Sequence, residues 1–149
     1  MTTARISKDF AFSASHRLDG LPDDHQCARL HGHNYVVRLT IEGDVRQPGF
    51  VVDYGALKPF GTWIDETLDH QHLNDVFDFN PTAENMAGHL ADRAATLLAD
   101  LGHDNVTRVA VSVSETPKTW ATVDAQREHL PGHAALSHDD DRYRWGMER

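Results

Sequence analysis

Apolar and polar positions alternate in two registers along the chain, and the change between them predicts its elements. Phe10, Phe12 and Ala14 alternate with Ala11, Ser13 and Ser15, a period of two that predicts a first strand over about 5–16. Residues 17–30 are polar, contain Gly20 and Pro22, and read as a connecting loop. Tyr35, Val37, Leu39 and Ile41 then alternate with Val36, Arg38, Thr40 and Glu42, predicting a second strand. A turn over 43–49 contains Pro48, after which Phe50, Val51 and Val52 could resume the sheet. The period then lengthens. Leu57, Phe60, Ile64 and Leu68 fall at helical spacing, with Pro59 tolerable only in the opening turn. Residues 69–81 are polar and turn-like. A second helix follows, with Thr82 as cap, Glu84 at the positive end of the dipole, and Met86, Leu90, Ala94, Leu97 and Leu101 on one face before Gly102. Val109, Val111, Val113 and then Glu115 share a face of a third strand; a short fourth lies near 120–123.

The resulting order, ββααββ, is an α+β pattern: an antiparallel four-stranded sheet with two helices on one face. Such a sheet leaves its other face and both edges needing cover, and oligomerisation supplies it. The pattern dissolves after Ala125. A single domain over 1–125 is therefore expected, with 126–149, including the acidic run Asp139, Asp140 and Asp141, as a flexible C-terminal tail.

Composition narrows the function. The chain has 149 residues, enough for a core without disulfides. A formal net charge of −9 argues against a nucleic-acid surface, which needs clustered Lys and Arg. No apolar run approaches the ~20 residues of a membrane span, residues 1–8 lack the apolar core of a signal peptide, and the single cysteine cannot form an internal disulfide. The expected location is cytoplasmic. Eleven histidines are more than packing requires.

Three of them form a constellation. His31 and His33 are two apart at the start of the second strand, so their side chains point to one face. His16 closes the first strand, and in an antiparallel pair that end lies beside the beginning of the next. Three neutral nitrogen ligands leave an open position on the ion, the arrangement of a catalytic zinc site, although iron or nickel would accept the same donors. His25 is a nearby competitor without strand geometry to aim it. Cys27, four residues before His31, would have its thiol acidified by a dication and could act as an acid–base group, or as a fourth ligand closing the site.

These residues also carry a resemblance. Phe12-Ser13-Ala14-Ser15-His16, Cys27-Ala28-Arg29-Leu30-His31-Gly32-His33-Asn34-Tyr35, Leu68-Asp69-His70, Pro81-Thr82-Ala83-Glu84-Asn85 and Glu115-Thr116-Pro117, in this order over about 8–124, resemble the 6-pyruvoyl-tetrahydropterin synthase family. The resemblance implies a tunnelling fold (T-fold), with trimers closing a barrel and two trimers stacking as a hexamer. It implies zinc held by His16, His31 and His33, and 7,8-dihydroneopterin triphosphate as substrate. It further implies that Cys27, Asp69 and His70 are catalytic, and that Glu115 and Thr82 contact the pterin. A carboxylate at Glu115 matches the 2-amino and N3–H donors of a pterin. Read alone, Glu115 could be a solvated strand end, Thr82 only a cap and Asp69 surface charge, and His72 competes with His70.

Within the family, three residues between Cys27 and His31 look like the bacterial 6-carboxy-tetrahydropterin synthases, which release acetaldehyde and triphosphate on the route to queuosine and other deazapurines. The animal pyruvoyl-forming enzymes place five residues there, and a subgroup using glutamate in place of the cysteine is argued against by Cys27. The alternatives are a pyruvoyl synthase, by triphosphate elimination, and a non-catalytic pterin- or metal-binding protein.

Overall fold

Period-two patterning becomes one antiparallel sheet in the computed structural model, which describes residues 1–133. β1 (Thr3–His16), β2 (His31–Asp44), β3 (Val106–Ser114) and β4 (Ala121–Asp124) lie in the order β1-β2-β3-β4. The first two pair along their whole length, from Thr3↔Asp44 to His16↔His31. Phe12 and Ala14 thus face the same side as Tyr35, Val37, Leu39 and Ile41, all buried. Phe12 stacks on Tyr35 with ring centroids 4.7 Å apart.

That face is covered by α1 (Lys58–Thr67) and α3 (Ala83–Asp100), with the single-turn α2 (Leu73–Val76) between them in sequence. α1 contributes Phe60 and Ile64 to the core, and Pro59 sits in its first turn, where no amide hydrogen is missed. Phe60 meets Phe10 edge to face at 5.1 Å. α3 lies against β3 and β4 and buries Met86, Leu90, Ala94, Leu97 and Leu98. Each large side chain buried here stabilises the fold by roughly 1.5–3 kcal/mol. Gly43 is required by close approach: the Asn105 carbonyl oxygen would lie 2.5 Å from a Cβ there.

The opposite face is polar. Arg38 grips Asp9 with two hydrogen bonds of 2.8 and 3.0 Å, and Arg108 grips Asp124 similarly at 3.1 and 2.9 Å. These exposed pairs contribute little to stability; they show a sheet face suited to water.

Several expectations are corrected. Residues 69–81 are more than turn: α2 places Leu73 in the core, and Phe77 follows it there. Leu101 is not on the core face. α3 ends at Asp100, Leu101 caps it, and the chain swings out through Gly102 at φ +80°, leaving Leu101 44% exposed. Phe50, Val51 and Val52 do not extend the sheet. Phe50 makes only an isolated bridge with Arg46, while Val51 and Val52 are buried in a loop whose Val51 carbonyl accepts from Asn105. Glu115 falls one residue beyond the end of β3.

Among the described residues no helix is long and apolar enough to cross a membrane. Residues 126–133, the start of the expected tail, form a 3-10 turn at Arg127–His129, and the Gln126 amide donates to Asp92 of α3 at 2.8 Å. The rest of that tail, with Asp139 to Asp141, lies outside the described residues.

Candidate metal centre and active site

The last pair of the β1–β2 ladder is His16↔His31, and His33 lies opposite Ala14. All three imidazoles therefore project from one face, where they pack edge to face with centroids 4.6, 5.1 and 4.9 Å apart. One ring nitrogen from each lies within 4.8 Å of the others, so the three histidines are positioned to bind a metal.

The outer bonds of two rings fix which nitrogen faces inward. His16 Nδ1 lies 2.9 Å from the Pro81 carbonyl, and His31 Nδ1 lies 2.7 Å from the Arg29 carbonyl. A carbonyl only accepts, so each Nδ1 carries a proton, which in the neutral ring leaves Nε2 presenting its lone pair. Those two Nε2 atoms stand 3.0 Å apart. Facing lone pairs repel unless a proton or a cation lies between them. Two imidazole ligands on a tetrahedral zinc would stand about 3.3 Å apart, close to this spacing. Carbonyl-anchored imidazoles are also what metal sites use to orient ligands. The donor set thus fits a divalent cation.

Electrostatics agree. His16 is fully buried, and this burial lowers its pKa, opposed by the Pro81 bond and reinforced by His31 and His33. Burial also lowers the pKa of His33, against the opposing charge of Glu115. Neutral imidazoles at neutral pH are ready ligands. Beneath them lies buried Tyr35, its hydroxyl 3.2 Å from His16 Nδ1; burial, and then the Glu115 charge, push its phenol well above the ordinary range.

Cys27 sits in a 3-10 turn, Gln26–Ala28, inside the loop between the two strand ends. Its carbonyl accepts from the Leu18 amide at 2.9 Å, which folds the loop back beside β1. Among the described residues no thiol or carboxylate joins the three-histidine cluster.

Asp69 and His70 occupy a different side. The segment after α1 runs along the free edge of β1, where the His70 amide donates to the Ser13 carbonyl at 2.6 Å and the Ser15 amide to Gln71 at 3.1 Å. One Asp69 oxygen accepts from the Ser13 amide at 2.9 Å, and the other holds His70 Nδ1 at 2.8 Å. These two bonds hold the Asp69 carboxyl below its usual value, the Ser13 amide contributing most. His70 adopts φ +59°, unusual for a side chain other than glycine, and its imidazole is 82% exposed. The competitor His72 is engaged otherwise: its Nδ1 meets Ser15 Oγ at 3.0 Å. Ser13, Ser15, His33, Asn34, His70 and His72 border a cleft of about 490 Å³, so the edge pair and one member of the three-histidine cluster open onto the same space.

Glu115, level with Tyr35 by continuation of the β2–β3 register, is half-buried and close enough to act on His33 and Tyr35. Thr82 caps α3, its Oγ1 accepting the Asn85 amide at 3.1 Å.

The family profile described as 6-pyruvoyl tetrahydropterin synthase matches residues 5–126, which include every one of these groups. The chain belongs to that family. It is 32% identical over 135 residues to the 6-carboxy-5,6,7,8-tetrahydropterin synthase of Bacillus subtilis, covering 85% of this chain and 89% of that protein. It is 33% identical over 90 residues to a dihydroneopterin monophosphate aldolase of Pyrococcus furiosus, covering 60% and 74%. The solved 6-pyruvoyl tetrahydropterin synthase of Caenorhabditis elegans superposes with a TM-score of 0.72 at 27% identity, over 85% of this chain and 98% of that one.

For a pterin synthase family member, sequence reasoning missed the residues that hold the loops. Asn74 pairs its amide with both backbone groups of Arg17, at 2.8 and 2.7 Å, and Asn80 does the same for Asp19 at 3.0 Å each. The carbonyls of Pro81 and Arg29 are backbone atoms that no residue type announces. The Tyr35 hydroxyl was missed as well, although a tyrosine in an otherwise aliphatic buried row signals a polar partner.

Proposed function

We propose that the protein is a zinc-dependent lyase that converts 7,8-dihydroneopterin triphosphate to 6-carboxy-5,6,7,8-tetrahydropterin with release of acetaldehyde and triphosphate, in deazapurine (queuosine-type) biosynthesis. The observation that carries this reading is the convergence of His16, His31 and His33 in a chain 32% identical to a protein named for that product. The short spacing from Cys27 to His31 supports the same choice of product.

Three imidazole nitrogens, with no fourth ligand among the described residues, suit zinc with an open position. Zinc held there would polarise the substrate's side-chain hydroxyls and acidify the neighbouring C–H bonds. Cys27 is the group that takes and returns the proton. Asp69 keeps the proton of His70 on Nδ1, so Nε2 is the atom offered to substrate. Glu115 accepts from the 2-amino and N3–H edge of the pterin, and Thr82 adds a second contact. The exposure of His70 favours an assembly, a hexamer built as a dimer of trimers, in which neighbouring copies close the barrel over such groups. The domain over 1–125 carries all of these residues, and the expected location is cytoplasmic.

Incubation with 7,8-dihydroneopterin triphosphate, followed by mass identification of both fragments, tests the reading. Acetaldehyde with a 6-carboxy product is expected. A pyruvoyl product without acetaldehyde would instead support triphosphate elimination, and pterin binding without turnover a non-catalytic role. Cys27→Ala should abolish turnover while zinc content persists; loss of zinc in that variant would make the thiol a ligand.

A further inference from the structure

His25 has no part in the chemistry above, yet its ring is built into the loop that carries Cys27. The backbone at His25 is extended, with φ −70° and ψ 134°, and its carbonyl accepts the Ala28 amide at 3.0 Å. Its Nδ1 accepts the Cys27 amide at 3.0 Å. This is the geometry of a helix N-cap, with an imidazole nitrogen standing where an Asn, Asp or Ser oxygen usually does. The His25 amide is itself anchored, donating to the Pro22 carbonyl at 2.9 Å.

The capped turn is tied to both metal-bearing strands. Leu18, two residues past His16, donates its amide to the Cys27 carbonyl, and the Arg29 carbonyl accepts from His31 Nδ1 at 2.7 Å. The backbone of Cys27 is thus held at its carbonyl by β1's extension and at its amide by the His25 ring. A three-residue turn has few internal hydrogen bonds, so one side-chain cap is a large share of what orders it.

We propose that His25 is the positioning residue for Cys27: its Nδ1 caps the Gln26–Ala28 turn and fixes the thiol relative to the strand ends that carry His16 and His31. The consequence for catalysis rests on the reading of Cys27 as the proton-transferring group; the positioning itself does not. A neutral acceptor at this position is what matters, not the imidazole as such, and asparagine can supply one to the amide two residues on.

Cys27 is the only cysteine in the chain, so iodoacetamide reports on it alone. In the metal-loaded protein, His25→Ala should raise the alkylation rate about fivefold, the effect of losing one cap. It should lower kcat about tenfold through misplacement of the thiol, with KM and bound metal little changed. His25→Asn should return both readouts to within about twofold of the parent. A parental alkylation rate in His25→Ala, or an Asn variant as impaired as the Ala one, would overturn the proposal. If Cys27→Ala retains turnover, the catalytic reading of the thiol fails, while the alkylation comparison still decides whether His25 positions it.

Discussion

Histidines stand at the paired ends of β1 and β2 and along the outer edge of β1, in two contrasting settings. On the helix-covered face, His16, His31 and His33 crowd together, with His16 fully buried and two rings held by backbone carbonyls. At the free edge of β1, the His70 backbone is tied to Ser13 while its ring is held by Asp69 and stands in solvent beside an open cleft. Burial makes an unsatisfied polar atom costly at His16, and bonds to the Pro81 and Arg29 carbonyls hold its ring and that of half-buried His31. Water can satisfy His70, so its ring needs no further partner within the chain. In the proposed function the same residue type is a preorganised ligand on one side and an adaptable acid–base group on the other.

The two settings can be separated by mutation. His31→Ala should have the largest effect: stoichiometric metal is lost on gel filtration, and turnover with it, while the Asp69–His70 pair stays intact by NMR of the His70 ring. Metal retained at full occupancy in that variant would refute the assignment of the centre. Asp69→Asn is the converse, with metal retained and turnover down about 10²–10⁴-fold, the range of a lost general acid–base contribution. It also carries a pH signature. Because the Asp69 carboxyl is held below its usual value in the folded state, its contribution to stability is fully present above the unfolded carboxylate value and is lost as pH falls through the lower, folded one. Asp69→Asn should flatten that acid limb in urea titrations at stepped pH; an unchanged limb would remove the Ser13 and His70 bonds as its source. Tyr35→Phe probes the support of the buried site. It removes a hydroxyl 3.2 Å from His16 Nδ1 and should weaken metal binding about 10–100-fold in chelator competition. Unchanged affinity would show that Pro81 alone orients the ring.

The difference between the settings also explains what could be read from the chain. The buried site was legible because strand periodicity fixes faces: two histidines two apart, and a third at the end of the antiparallel neighbour, must meet. The edge site was legible only through the resemblance carried by Leu68-Asp69-His70, and not from periodicity, because an aperiodic segment reaches β1 through a carboxylate and backbone groups acting as strand partners. Asn74 and Asn80 clamp the preceding loop in the same aperiodic way. Leu73 and Phe77 offered a helical spacing of only two positions, too short to separate α2 from a turn. Leu101 failed for the opposite reason, since its spacing continued a pattern after the helix had stopped.

The His16↔His31 pair is the terminal rung of a ladder whose other end is Thr3↔Asp44. An ion bridging those two rings would act as a clasp across the mouth of a long loop, joining strands that no disulfide connects. Opening of this end would then require release of the ion, and the ladder would have to come apart from its far end. Added metal should therefore raise the unfolding temperature in proportion to the logarithm of its free concentration. Amide exchange near Ser15 and Gly32 should slow far more than exchange near Ala4 and Gly43.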